Sequence, residues 1–393
     1  MTFGKAIRSE WLLADDLIFL NHGSFGACPR SVLAVQRDWQ DIMERDPVRF
    51  LVRELPQRLD EAREKLATFV GSRPEDLVFV QNATDGANAV LRSLLPTFKP
   101  GDELLTASHA YRAVRQTMVY VAGLSGAKVV DADVPFPILD AGEVTEAIAR
   151  AISPKTVLAV IDHITSPTGV VFPIEQIIAL FKERGIPVLV DGAHAPGQVD
   201  LELDTLGADY YVGNCHKWLY APKGAALLWV DKKHQPKIHP TVISHFLDGG
   251  YQTEFAWTGT LDPTAYLSIP AGIAFHQKLA ASGSREYMRN MLLDARREIT
   301  AALGVPLAAP EEMLANLCTI PLPNNPDASD KAVQRLHDLL FDEYHIQVPA
   351  MNANGKLHVR ASSQVYNDRS DFEALKAALV ELASAGRIPR ADR

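Results

Sequence analysis

No apolar stretch in the 393-residue chain reaches the roughly 18 residues that would suggest a membrane span. The opening Met1-Thr2-Phe3-Gly4-Lys5 runs into charged residues rather than an apolar core, so no signal peptide is expected. Cysteine is scarce. Cys28, Cys215 and Cys318 are odd in number and widely spaced, which offers neither a disulfide framework nor a zinc-ligand spacing. The net charge is -9 with no long run of one sign, which argues against nucleic acid or an anionic membrane as the main partner. Internal repeats are missing, and so is low complexity outside the polar C-terminal tip. A cytoplasmic enzyme is the default expectation. The 47% of hydrophobic residues suffice for a large core, and the length predicts two or three domains.

Short apolar runs alternate with amphipathic stretches through the middle of the chain. The runs lie at 77–80, 103–106, 127–130, 157–161, 187–190, 210–212 and 226–230, with the length and β-branched content of buried strands. Helical patterns fall between them at 83–95, 113–122, 143–151 and 174–184. This alternation predicts an α/β fold with a mainly parallel central sheet and helices on both faces. From about Pro263 the pattern changes to long helices at 264–279 and 285–303. Strands at 318–320, 345–348 and 356–360 follow, with helices at 330–341 and 371–385. The chain divides on this reading into an N-terminal segment (1–20), a large α/β domain (21–262) and a long linking helix with a smaller α+β domain (263–393).

Four segments end a strand with polar groups, where open α/β sheets hold ligands. Gln81-Asn82-Ala83-Thr84 opens a helix whose free N–H groups, with the Thr84 hydroxyl, would cradle a phosphate; the alternative is that Asn82 or Thr84 simply caps the helix. Asp191 ends the run Val188-Leu189-Val190, where a buried carboxylate needs a positive partner or a turn to cap. Cys215-His216-Lys217-Trp218 follows another apolar run, and a lysine held there is desolvated, which lowers its pKa and makes its amine a nucleophile toward an aldehyde. Lys223 competes, but Pro222-Lys223-Gly224 reads as an exposed turn. Asp162-His163-Ile164-Thr165-Ser166 is a polar turn with an ordinary loop as its plain reading. Singly these signals are weak. Their order along one sheet describes a pyridoxal phosphate site: phosphate anchor, carboxylate for the ring nitrogen, lysine for the Schiff base.

These residues resemble the class V aminotransferase group of fold-type I pyridoxal-phosphate enzymes over nearly the whole chain. Within that group the chain is most similar to isopenicillin N epimerase-like proteins, through Leu20-Asn21-His22-Gly23-Ser24-Phe25-Gly26, Asp46-Pro47-Val48-Arg49-Phe50, His216-Lys217-Trp218 and Trp257-Thr258-Gly259-Thr260. The resemblance implies that Lys217 forms the Schiff base and moves the α-proton, that Asp191 pairs with the pyridinium, and that His194 lies near the ring hydroxyl or the substrate. Ala83, Thr84 and His216 would hold the phosphate. Thr260 would reach the neighbouring subunit's phosphate, making a homodimer. For the aromatic stacked on the ring, His109 is favoured over Tyr111. Ser166 stands where desulfurase relatives carry an asparagine, which weakens a desulfurase reading. Arg360 would bind the substrate carboxylate, Asn21 and His22 would lie at the substrate mouth, and Arg49 or Arg112 would serve a second carboxylate or stay solvated.

The leading expectation is an epimerase or racemase acting on an amino acid or aminoacyl group, with His22, His194 or a tyrosine as the second acid. An aminotransferase and a C–S lyase are the alternatives. Sulfur transfer through cysteine ranks last, because Cys318 and Cys215 sit in apolar runs. A non-catalytic regulator that binds pyridoxal phosphate is the alternative from another class, although no DNA-binding helix-turn-helix precedes the fold.

Overall fold

The computed structural model describes residues 2–390. Seven strands form the main sheet: β1 Leu77–Val80, β2 Glu103–Ala107, β3 Lys128–Ala132, β4 Thr156–Asp162, β5 Val188–Asp191, β6 Tyr210–Asn214 and β7 Ala226–Val230. Their spatial order is β1-β7-β6-β5-β4-β2-β3, with β7 antiparallel to both neighbours and every other pair parallel. The expected mainly parallel α/β sheet is present. Every residue of β1, β5, β6 and β7 is buried, because both faces are covered. Alternation along each strand feeds two apolar layers. Phe79, Ile161, Val190 and Tyr211 join one, and Val80, Val160, Leu189 and Val212 the other. Only the edge strand β3 leaves Lys128 and Asp131 exposed, which blunts the edge.

Two long helices precede the sheet, α1 Arg30–Arg45 and α2 Leu55–Val70; α3 Ala83–Leu94, α4 Arg112–Ser125, α5 Ala141–Ala151 and α6 Ile174–Lys182 lie between its strands. After the sheet come α7 Ile269–Ala280 and α8 Ser284–Leu303, then an antiparallel sheet of β8 Leu317–Pro321, β9 Ala350–Ala353 and β10 Lys356–Ser362. Helices α9 Asp330–Tyr344 and α10 Arg369–Ser384 complete this region. The apolar run at 345–348 does not join that sheet. Its Ile346–Gln347 pairs in parallel with Ile18–Phe19, so the N-terminal segment is stitched to the C-terminal part of the fold.

Candidate active site

A cavity of about 500 Å³ opens where β1, β4, β5 and β6 end. All four run in the same direction, so their C-terminal ends meet on one side of the sheet. At the first of these ends, Asn82 caps α3 by accepting the Asp85 N–H at 2.9 Å. The Ala83 N–H is also engaged, donating to Asn214 Oδ1 at 2.8 Å. That leaves the N–H of Thr84, which lies in the first helical turn and has no intrahelical acceptor, together with its hydroxyl at the positive end of the helix dipole. Gly86 lets α3 lie this close to β6: a Cβ there would meet Val212 Cγ1 at 2.7 Å. His216 lines the same end. Its Nδ1 donates to the Ala225 carbonyl at 3.1 Å, so Nε2 is the nitrogen left for a ligand.

Lys217 follows β6 and is almost fully buried. Burial, with the nearby Arg360 charge, pushes its amine from the usual 10.5 down to about 7, against the opposing pull of Asp191 and Asp162. Its main chain is clamped by the N-terminal segment. His22 Nε2 donates to the Lys217 carbonyl at 3.0 Å, and His22 Nδ1 accepts from the Tyr366 hydroxyl at 2.8 Å. Gly26, at φ +70°, passes so close that a Cβ would collide with the His216 carbonyl. The Asn21-to-Gly26 motif thus holds the lysine segment in place. His22 is not at the substrate mouth, contrary to the sequence expectation. It is wholly buried, and burial holds its imidazole neutral, near 3. Asn21 is buried too, and its Oδ1 accepts from Ser24 Oγ at 2.5 Å. The residues that this segment presents to the cavity are Ser24 and Phe25.

Asp191 ends β5 in register with Asp162 at the end of β4, so two buried carboxyls stand side by side. Asp191 Oδ1 accepts the Ala193 N–H at 3.0 Å, whereas Oδ2 is buried and without a partner in the chain. Burial raises both carboxyls, and the neighbouring Asp191 charge raises Asp162 further. Lys217 pulls Asp191 back toward its ionised form. His194 Nε2 lies 3.1 Å from Lys217 Nζ, and its Nδ1 accepts from Trp218 Nε1 at 3.3 Å. Burial and the charges of Lys217 and Arg360 keep this imidazole neutral.

Arg360, on β10, donates to the Ser166 carbonyl at 2.5 Å, to Ser166 Oγ at 3.2 Å and to Ser24 Oγ at 3.1 Å. Both serines line the cavity, and the guanidinium Nε is buried with no partner. Burial lowers this group to about 10, so it is a cation at neutral pH. Of the two aromatic candidates, Tyr111 lines the cavity and is 40% exposed. His109 is buried between Phe136 and Phe172, with Nδ1 on Thr168 Oγ1 at 3.0 Å. Tyr111, two residues further along the turn, is thus the one of the pair at the opening, while His109 lies behind it with Nε2 buried and without a partner. Thr260 is exposed and is not brought to this chain's own cavity. Arg49 pairs with Glu54 and Arg112 with Asp330 on the surface, which is their solvated reading.

Sequence reasoning passed over Asn214 and gave no role to Asp162 or Lys223, and all three line the cavity. Asn214 and Asp162 are the last residues of β6 and β4, and that strand-end position was the available signal. Lys223 does sit in an exposed turn, as the sequence suggests, and from there its Nζ donates to the Gly26 carbonyl at 2.7 Å at the edge of the same cavity.

These residues fit pyridoxal phosphate. The orphaned Asp191 Oδ2 matches a protonated ring nitrogen, the Thr84 N–H and hydroxyl match a phosphate, and the depressed Lys217 amine matches an aldehyde carbon. The aminotransferase class-V family matches residues 44–375. The chain is 31% identical to a probable chloroplastic L-cysteine desulfhydrase from Arabidopsis thaliana, covering 97% of this chain and 86% of that one. It is 32% identical to an isopenicillin N epimerase from Amycolatopsis lactamdurans, covering 96% and 98%. Among solved structures, a cysteine desulfurase from Thermococcus onnurineus NA1 superposes with a TM-score of 0.80 at 19% identity, covering 98% of this chain and 99% of that one. The chain belongs to the class-V aminotransferase family and is a pyridoxal phosphate-dependent enzyme.

Proposed function

We propose that the protein is a C–S lyase, removing the α-proton of a cysteine-type amino acid and releasing its β-sulfur as sulfide. One observation carries this reading: the two histidines expected as a second acid, His22 and His194, have both ring nitrogens committed. His22 is tied to Tyr366 and the Lys217 carbonyl, and His194 to Trp218 and to the Lys217 amine itself. Epimerisation calls for acids on both faces of the α-carbon, whereas β-elimination proceeds with one base. The desulfhydrase relative supports the same choice. Sulfur transfer through a persulfide is disfavoured by the cysteines, all buried. Burial pushes Cys28 and Cys318 up to about 12 and Cys215 higher still, so none offers a thiolate.

Lys217 Nζ would hold the cofactor's aldehyde carbon, Asp191 its ring nitrogen, and Thr84 with His216 its phosphate. The cofactor, when bound, supplies a sink for the electrons left by the broken Cα–H bond. Arg360 pairs with the substrate carboxylate and fixes the Cα–H toward Lys217. The neutral Nζ takes the α-proton, and the resulting ammonium returns it to the departing sulfur. Cysteine and water thereby become sulfide, pyruvate and ammonia, with no outside oxidant. Tyr111 favours epimerisation as the second reading, since its phenol is a proton carrier on the cavity wall. A homodimer belongs to both readings. It is supported by exposed Thr260 and by an apolar hollow of about 760 Å³ that includes Val52, Phe246 and Trp257.

The test is to incubate holoenzyme with L-cysteine in deuterated water and follow sulfide, pyruvate, α-deuterium and chirality together. Equal amounts of sulfide and pyruvate are expected. Deuterium exchange with loss of chirality and no sulfide would transfer the assignment to epimerisation, and stoichiometric keto acid with an aminated cofactor would transfer it to transamination.

A further inference from the structure

Trp218 does more than follow the lysine in sequence. Its indole is buried, packed with Ile164 and Leu317 and set against the His22 ring at 4.9 Å between centroids. A buried indole N–H has to find an acceptor, and Trp218 Nε1 finds His194 Nδ1. An imidazole that accepts at Nδ1 cannot be imidazolium and, when neutral, carries its proton on Nε2. That Nε2–H faces Lys217 Nζ at 3.1 Å. An ammonium has only hydrogens to offer there, whereas a neutral amine has a lone pair to accept the bond.

We propose that Trp218 is a positioning residue that locks His194 in its Nε2–H tautomer, so that the Lys217 nitrogen is held with its lone pair available. The effect passes through His194, and it rests on the reading of Lys217 as the cofactor lysine. The charges facing that nitrogen are Arg360 from β10, Asp191 at the end of β5 and Asp162 at the end of β4. His194 itself also faces His216 and Arg360. None of these groups changes on replacing Trp218 by phenylalanine, which keeps the aromatic packing and deletes the donor. The freed His194 can then move its proton to Nδ1 and accept from a protonated Lys217 nitrogen. Protonation becomes easier.

The experiment is a spectral titration of the holoenzyme, whose visible band reports protonation of the Lys217 nitrogen joined to the cofactor. Trp218→Phe is expected to raise the midpoint by about one pH unit, the worth of one buried hydrogen bond. In a His194→Leu background, where no side-chain polar group is left to relay the bond, Trp218→Phe is expected to add nothing. An unchanged midpoint in Trp218→Phe, or an equal shift in both backgrounds, overturns the proposal and leaves Trp218 as packing. Should the variant fold poorly, wild-type holoenzyme labelled with 15N-histidine decides. A bare Nδ1 and protonated Nε2 on His194, assigned by their loss in His194→Gln, support the lock; the opposite tautomer or an imidazolium refutes it. Neither readout involves turnover, so a failure of the C–S lyase reading would leave both untouched.

Discussion

The depressed Lys217 amine has consequences that can be measured before any substrate is known. A fall from 10.5 to about 7 disfavours the ammonium by about 5 kcal/mol, at 1.36 kcal/mol per unit. At pH 7 about half of the amine is neutral, against about one in three thousand for an ordinary lysine. Apoenzyme mixed with pyridoxal phosphate in a stopped-flow cell should therefore capture it at a rate that rises with pH and levels off above about 8. Stability follows the same shift. Between pH 7 and 10.5 the unfolded chain binds a proton at this lysine that the folded chain does not, so apoenzyme stability rises with pH across that window. Lys217→Met removes the group. In denaturant titrations, apo Lys217→Met should exceed wild type by several kcal/mol at pH 6, and the gap should close by pH 10.5. A capture midpoint above 9, or a stability gap that does not change with pH, would refute the desolvation argument.

Three further outcomes follow from other parts of the site. Arg360→Gln should lower kcat/KM for L-cysteine about 10- to 100-fold, the worth of hydrogen bonds to a charged group, while a thiol amine lacking the carboxylate is processed no worse; it should also raise the Lys217 midpoint, because the Arg360 charge holds that amine down. Asp162→Asn should retain the cofactor, since burial and the Asp191 charge already disfavour the ionised form of the native side chain. For apoenzyme, a carboxyl raised on folding stabilises below the ordinary 3.8 and loses that contribution as pH climbs, at up to 1.36 kcal/mol per unit. Denaturant midpoints between pH 4 and 6 should fall more steeply for wild type than for Asp162→Asn. Gly26→Ala should cost about 1–3 kcal/mol for the positive-φ, extended backbone alone and displace the His216 carbonyl, so far-UV circular dichroism persists while cofactor content drops.

The strands and connecting helices of the main sheet were legible because buried parallel strands leave continuous apolar runs, and β1 to β7 lie within two residues of their expected ends. Lys217 and Asp191 stood out by the same logic, as charged residues ending runs that have no use for charge. The residues that misled are those whose meaning depends on distant partners. His22 reads as a polar residue near a glycine-rich turn, and nothing local says that its Nε2 meets a carbonyl 195 positions away. Asn21 looked like a substrate contact and instead holds Ser24. His109 and Tyr111 sit two residues apart on one turn, and only the backbone path decides which of them faces the opening. Asp162 hid in plain view at a strand end, because its weight comes from the registered Asp191 on the next strand.

Two lysines face the same cavity, Lys217 and Lys223, and everything proposed here depends on which of them bears the cofactor. Borohydride reduction of the holoenzyme followed by peptide mass mapping settles it in one measurement. The pyridoxyl group is expected on Lys217, and none on Lys223, whose Nζ is held by the Gly26 carbonyl. A pyridoxyl group on Lys223, or a reducible adduct that survives Lys217→Ala, would contradict it.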